Sequence, residues 1–152
     1  IARGGDVTYH APGQLVGYPI VDLAAREAAP RDVHAFLRAI EEGLLAALAG
    51  LGLAGRRVEG RTGVFMQPDA AGGRDRKIAS IGIGVRRWIS YHGFALNVSI
   101  DLAGFEAIVP CGLADVEMTS VERELTRAGR TVPDDLDDLA RDAVADAMER
   151  HL

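Results

Sequence analysis

Apolar residues recur along this chain with helical spacing in two long stretches. From Pro30 onward they fall at steps of three and four residues, which predicts an amphipathic helix that ends at Gly50 and Gly52. The same spacing returns between Leu136 and Met148, after an acidic first turn that suits the N-terminus of a helix. Two long helices are therefore predicted, one early in the chain and one at its end.

A shorter helix is predicted over Val121–Arg127. Thr119 and Glu122 have the spacing of a capping box, in which two side chains satisfy backbone N–H groups at the start of a helix. Gly129 follows at the position of a C-terminal cap.

Four strands are predicted from apolar runs bounded by turn residues: Leu15–Val21, Gly63–Met66, Lys77–Val85 and Ile89–Ile100. Only residues 86–88 separate the last two runs, so we expect an antiparallel hairpin. Glycines at 82, 84 and 93 leave this hairpin short of side chains, which is common where a ligand or another backbone comes close. With strands in the middle and helices around them, the pattern predicts one domain over residues 1–152, of the α/β or α+β class.

Composition narrows the class of protein. The 152 residues are 48% hydrophobic and 26% charged, and no apolar run approaches the roughly 18 residues of a membrane-spanning helix. A net charge of −5 argues against a nucleic-acid partner. One cysteine and four histidines without metal-site spacing predict neither a disulfide nor a bound metal. Without a visible secretory signal, a cytoplasmic location is expected.

Two residues are candidates for covalent or acid–base chemistry. Cys111, the only cysteine, lies between Pro110 and Gly112 and is either a small buried residue or a nucleophile. A nucleophile would need a basic neighbour, because a thiol with a pKa near about 8.5 is mostly protonated at neutral pH. Lys77, the only lysine, is either a solvated surface residue or a base, since a desolvated lysine can exchange protons. The residues alone leave both choices open.

The opening stretch RGGDVTYHAPGQ is glycine-rich, but it lacks the Gly-Lys-Ser/Thr end of a phosphate-binding loop and does not match GxGxxG. His10 in this stretch and His92 in the hairpin are candidates either to orient a substrate or to make a structural hydrogen bond.

Three motifs follow one another in the order RGGDVTYHAPGQLVGYPI, RKIASIGIGVRRWISYHGFALNV and IVPCGL with MTSVERE. Together they resemble the octanoyl (lipoyl) transferase family over Arg3 to about Arg123, although Ala11 stands where that family usually has glycine. The resemblance implies the fold of the biotin and lipoate protein ligases, a mixed central sheet flanked by helices. Family members normally carry an N-terminal segment before the first motif, and we expect that segment to be missing from this chain.

The resemblance also assigns roles to individual residues. Cys111 takes the position of the family's acyl-thioester cysteine, and Lys77 that of the lysine that activates it. The implied substrate-binding residues are Arg3, Gly4, Gly5, Asp6, Val7, Thr8, Tyr9 and His10 in the opening motif, Ser80, Ile81 and Gly82 in the first strand of the hairpin, and Gly93, Phe94 and Ala95 in the second.

The implied activity is the transfer of an octanoyl group from octanoyl-acyl carrier protein to a lysine of a lipoyl domain, with no metal or other cofactor. The acceptors would be the E2 subunits of 2-oxoacid dehydrogenases and the glycine cleavage H protein. Two alternatives stay open: an ATP-dependent lipoate or biotin protein ligase, and a non-catalytic acyl-binding relative. We also expect the acyl chain to lie in a slot beside the three hairpin glycines, and the partners to dock on a basic rim formed by Arg74, Arg76, Arg86 and Arg87.

Overall fold

The computed structural model describes residues 9–68, 73–107 and 116–152 of the chain. Its elements in chain order are β1 (Gln14–Gly17), α1 (Val33–Gly50), β2 (Arg56–Val58), β3 (Arg61–Met66), β4 (Asp75–Arg86), β5 (Ile89–Asn97), a 3₁₀ helix (Leu102–Ala107), β6 (Val116–Met118), α2 (Val121–Arg127) and α3 (Leu136–His151).

The described strands form one mixed sheet, as the resemblance implied. Its order is β1, β5, β4, β3, β2, with antiparallel neighbours throughout. β6 adds the parallel pairing, because it lies beside the first residues of β4, where β5 has already ended. β4 is consequently the central strand and is paired with three others.

All three helices contribute to one hydrophobic core on the same face of the sheet. α1 begins where the Asp32 side chain accepts a hydrogen bond from the Ala35 N–H (2.9 Å), and Phe36, Ile40, Leu44 and Leu48 of its apolar stripe have no exposed surface. This stripe packs with residues of α2 and α3 against the strand residues Val64, Ile78 and Leu96. Since side chains alternate along a strand, the residues between these strand positions face the opposite side of the sheet, away from α1, α2 and α3; we call it the helix-free face. There, Met118 of β6 packs in a second, smaller cluster with Ile100 and Phe105.

The predicted strand Leu15–Val21 is wrong in its second half. β1 ends at Gly17, and the side chains of Tyr18 and Ile20 are 62% and 65% exposed. Pro19 has no N–H to donate to the ladder, so regular pairing stops before it. A single bridge between Asp22 and Ile89 continues the contact with β5.

The predicted hairpin is confirmed, but its turn consists of two residues only. Arg86 pairs with Ile89, which leaves Arg87 and Trp88 in the turn with φ of 52° and 67°. Positive φ at both positions is what a two-residue type I′ turn requires. β5 ends at Asn97, three residues before the predicted end of the second strand.

The N-cap of α2 lies one residue later than predicted. Ser120 is the N-cap, since its hydroxyl accepts a hydrogen bond from the Arg123 N–H (3.2 Å). The hydroxyl of Thr119 instead donates to Glu124 (2.6 Å). Gly129, with φ of 67°, follows the helix as the predicted C-terminal cap.

Candidate active site

Small residues line the helix-free face of the hairpin. Ser80 pairs with Ala95 and Gly82 pairs with Gly93, so that these four positions lie side by side on that face. A Cβ added at Gly82 would meet no atom of the described residues within 4 Å. At Gly93 the corresponding space holds the carbonyl oxygen of Gly17, and at Gly84 it holds the ring of Tyr91. The slot expected beside the three hairpin glycines is therefore wrong at Gly84 and Gly93, and space is present at Gly82 alone of the three.

The intervening residues Ile81 and Phe94 point the other way. Phe94 is buried in the core beneath the helices, and Ile81 packs against the same core. Of these two implied substrate-binding residues, only the backbone is available on the helix-free face.

Lys77 lies at an irregularity in β4. Val64 pairs with Ala79 and Phe65 pairs with Lys77, so Ile78 is the extra residue of a β-bulge. Because Ile78 and Ala79 both belong to the core, the bulge leaves Lys77 on the helix-free face together with Phe65. The Lys77 side chain is only 4% exposed, and its Nζ lies 5.5 Å from the centre of the Phe65 ring. A solvated surface lysine is thereby excluded.

Gly63 and Glu41 shape the surroundings of Lys77, and neither was predicted from the sequence. Gly63 has φ of 122°, and a Cβ there would lie 2.9 Å from Lys77 Cε and 2.5 Å from the carbonyl oxygen of Ala79. Its N–H donates to Glu41 Oε1 (3.1 Å). Glu41 is fully buried and also pairs with Arg38 (2.5 Å) and Arg57 (3.2 Å). A glutamate on the apolar stripe of α1 is the sequence signal that could have revealed this group.

Cys111 and the first residues of the opening motif, Arg3, Gly4, Gly5, Asp6, Val7 and Thr8, lie outside the described residues. β6, which follows Cys111 in the sequence, pairs with β4 so that Met118 stands beside Lys77.

Tyr9 and His10 lie within the described residues of the opening motif. The Tyr9 ring packs edge-on against Phe105, with 5.0 Å between ring centres. This contact requires glycine at 104, because a Cβ there would lie 2.2 Å from the Tyr9 hydroxyl. His10 is exposed, and its Nδ1 lies 3.0 Å from Gln14 Oε1. The opening motif is thus attached both to the 3₁₀ helix and to β1.

The predicted basic docking rim is wrong. Arg76 is buried on the helix-covered face, where its guanidinium donates to both carboxylate oxygens of Glu124 (2.8 and 3.0 Å). Arg74 and Arg86 flank opposite ends of the twelve-residue β4, which at about 3.3 Å per residue places them roughly 35–40 Å apart. The four arginines therefore do not form one surface.

No group of three or more His, Cys, Asp or Glu side chains within the described residues is arranged to hold a metal ion. Within the same residues, no helix has the length and apolar character needed to cross a membrane.

Related proteins of known name match the chain at high identity. Octanoyltransferases of Mycobacterium sp. (strain KMS), Geobacter sulfurreducens and Synechococcus elongatus are 51%, 53% and 56% identical over 150, 128 and 115 residues. The matches cover 99%, 84% and 76% of this chain but only 60%, 50% and 45% of the relatives. The chain therefore spans about half to three fifths of the length of these relatives.

Solved structures confirm the fold. The bipartite lipoate protein ligase of Thermoplasma acidophilum superposes with a TM-score of 0.61 at 20% identity, covering 99% of this chain and 55% of that one. Lipoate-protein ligase A bound with ATP gives a TM-score of 0.60 at 20% identity, covering 99% and 56%. The sequence model of the lipoyl protein ligase A/B catalytic domain matches residues 1–152. The chain belongs to the lipoyl protein ligase A/B catalytic domain family.

Proposed function

We propose that this protein is an octanoyltransferase, which moves an octanoyl group from a carrier thioester to a protein lysine through a thioester on Cys111. The observation that carries the proposal is the burial and position of Lys77. The only lysine of the chain is buried at a β-bulge, on the helix-free face of the sheet and beside a row of small residues. A buried amine of this kind suits a base, because desolvation disfavours its charged form. Relatives of more than 50% identity carry the name octanoyltransferase.

In the first step, the neutral amine of Lys77 takes the proton of the Cys111 thiol. The thiolate attacks the thioester carbonyl of the donor, and the bond between that carbon and the donor sulfur breaks. The proton on Lys77 passes to the departing donor sulfur. The products are a Cys111 thioester and a free donor thiol.

In the second step, the neutral ε-amine of an acceptor lysine attacks the Cys111 thioester. The carbon–sulfur bond breaks, an amide forms, and the proton lost by the amine passes through Lys77 to the cysteine sulfur. Thioester and amine are converted to thiol and amide, so atoms and charges balance without ATP, a metal or another cofactor.

The helix-free face of the hairpin is the proposed seat of the acyl chain. Gly82 opens on empty space, and Ser80 and Ala95 beside it are small. We expect the acyl chain to extend from the end of β4 that carries Lys77 towards Gly82, where a described side chain does not fill the space.

The proposed donor is octanoyl-acyl carrier protein, and the proposed acceptors are lipoyl domains of E2 subunits and of the glycine cleavage H protein. The reaction is proposed to take place in the cytoplasm, where a lone reactive thiol stays reduced. Because the predicted basic rim does not exist as one surface, we assign no residues to the docking surface for these proteins.

The proposal is tested by mixing the protein with octanoyl-acyl carrier protein without ATP and measuring its intact mass. We expect an octanoyl adduct on Cys111 that disappears when a lipoyl domain is added. Cys111→Ser should form no thioester adduct, and Lys77→Ala should form it at least about a hundredfold more slowly. Lys77→Arg is the matched variant, since it keeps a long cation that cannot act as a base. Octanoylation of the lipoyl domain only with ATP and free octanoate would instead identify a ligase.

A further inference from the structure

A chain of side-chain hydrogen bonds runs from the opening motif into the sheet. His10 Nδ1 lies 3.0 Å from Gln14 Oε1, and Gln14 Nε2 donates to Asn97 Oδ1 (2.8 Å). Asn97 Nδ2 donates in turn to the backbone carbonyl of Thr119 (2.9 Å). We refer to His10, Gln14, Asn97 and Thr119 as the histidine relay.

The donors and acceptors of the relay can be assigned in only one way. A backbone carbonyl can only accept, so Asn97 must present its NH₂ group to Thr119 and its oxygen to Gln14. Gln14 must then present its NH₂ group to Asn97 and its oxygen to His10. An amide oxygen can only accept as well, so the proton of the neutral His10 ring lies on Nδ1, and Nε2 keeps its lone pair.

Reversing this assignment would be unfavourable in free energy, because the Asn97 end of the relay is buried. Asn97 is 1% exposed and Thr119 is fully buried. Turning the Asn97 amide would set its oxygen against the carbonyl of Thr119 and leave two buried groups without a hydrogen bond. A buried group that loses its hydrogen bond cannot bond to water instead. The hydrogen bond between Asn97 and Thr119 at the buried end therefore determines which ring nitrogen of His10, at the exposed end, carries the proton.

The buried end also holds the strand that carries Lys77. The N–H of Thr119 donates to the backbone carbonyl of Lys77 (3.0 Å), while its own carbonyl accepts from Asn97. One residue thus connects the relay to the backbone of the proposed base.

We propose that Gln14 and Asn97 are positioning residues that hold His10 in the Nδ1–H tautomer, with Nε2 presented as a hydrogen-bond acceptor. This tautomer is the opposite of the one that predominates in free histidine. Its use rests on the proposed function: Nε2 would accept a hydrogen bond from the N–H of the primary amine that attacks the Cys111 thioester. The relay would then act on the second step of transfer and not on the first.

The tautomer is tested without any substrate, by NMR of the protein labelled with ¹⁵N-histidine, at a pH where the spectrum shows the His10 ring to be neutral. The His10 signals are assigned by their loss in His10→Ala. We expect the proton on Nδ1 in the parent protein and on Nε2 in Gln14→Met, which keeps the length of the side chain but removes both hydrogen bonds. Gln14→Glu keeps an oxygen towards His10 and should restore the Nδ1 proton. Gln67→Met, at an exposed position, is the matched control and should leave His10 unchanged.

A proton on Nε2 in the parent protein would overturn the proposal, as would a tautomer that Gln14→Met does not move. Denaturant unfolding of each variant shows whether Gln14→Met still folds. If it does not, Asn97→Ser, which shortens the relay at its buried end, gives the same test.

The catalytic consequence is measured by following the two steps separately. We expect Gln14→Met to slow transfer from acyl-Cys111 to the lipoyl domain about tenfold and to leave formation of acyl-Cys111 within about twofold, a difference near 1.4 kcal/mol in one barrier only. Equal rates of transfer would remove the positioning role even if the tautomer changes. Absence of any acyl-enzyme in the parent would contradict the proposed function and leave the NMR result intact.

Discussion

The two faces of the sheet differ in the side chains they carry. The face covered by α1, α2 and α3 (the covered face) carries large apolar side chains, and many of them have no exposed surface. The helix-free face (the open face) carries Lys77 beside the buried ring of Phe65, followed by the small residues Ser80, Gly82 and Ala95. The covered face contains most of the hydrophobic core, and the open face has space at Gly82.

β4 places side chains on both faces of the sheet, and its bulge interrupts the alternation between them. Ile78 and Ala79 are adjacent in the sequence, yet both enter the core, so strict alternation is broken once. The proposed base thereby lies on a strand that pairs with three others, without its side chain being part of the core. If this division is correct, substitutions on the covered face should change stability, and substitutions on the open face should change chemistry.

The largest expected effect is on the covered face. Phe36→Ala removes a fully buried ring from α1 and should lower the free energy of unfolding by about 3–5 kcal/mol. Urea unfolding followed by circular dichroism measures this loss. Tyr18→Ala, which truncates a mostly exposed aromatic ring, should change stability by less than about 0.5 kcal/mol. Similar losses for the two variants would mean that packing on the covered face is not what stabilises the fold.

The next effect concerns a buried charge on the covered face. Glu124→Ala removes the carboxylate that accepts two hydrogen bonds from Arg76 and one from Thr119. It should cost about 3 kcal/mol, because the buried guanidinium loses its bidentate partner. Glu124→Gln keeps the shape and part of the hydrogen bonding, so thermal unfolding should show a smaller loss. An unchanged melting temperature in Glu124→Ala would mean that water replaces the pair.

Gly63 lies where the two faces meet, and Gly60 provides a matched control. Both glycines have positive φ, but a side chain at Gly60 meets nothing, whereas one at Gly63 meets Lys77 and Ala79. Gly60→Ala should cost about 1 kcal/mol from backbone strain alone. Gly63→Ala should cost about 2–3 kcal/mol and should also slow acylation of Cys111, since Lys77 must shift. Equal losses of stability and equal acylation rates in the two variants would show that Gly63 does not affect the proposed site.

The smallest effect on stability is expected on the open face. Gly82→Val adds a side chain to empty space and a residue that favours strands, so stability should change by less than about 1 kcal/mol. The rate of octanoyl transfer should fall at least about tenfold, and the rate with an acetyl donor should fall less. Parallel acylation assays with the two donors measure the ratio. An equal loss of rate with both donors would show that the acyl chain does not bind beside Gly82.

The long elements could be predicted from the sequence because they repeat a pattern over several turns or residues. The stripe of α1 and the hairpin of β4 and β5 follow from such repeats. β2 and β6 were missed, since three residues are too few for a period, and β2 begins with two arginines. The capping error arose because Thr119 and Ser120 are equally good caps in isolation; the buried Glu124 takes the Thr119 hydroxyl.

The candidate site was predicted less completely than the fold. The motifs identified Lys77, but nothing local to Arg76 indicates that it is buried, because its partner Glu124 is distant in the sequence. The relay from His10 to Thr119 joins three regions of the chain, and only their folding brings them together. Interactions of this range depend on strand register, which a single sequence does not display.

The pairing of β4 has a consequence for how the molecule opens in solution. Arg76, Lys77 and Ala79 of this strand have partners on both sides, in β3 on one and in β6 or β5 on the other. Amide hydrogens exchange with solvent last where opening requires the most structure to separate. The backbone around Lys77 should therefore keep its hydrogens longest, while the edge strands β1 and β2 lose theirs early. The proposed base would lie in the region that unfolds last, so local fraying at the sheet edges would leave its position unchanged.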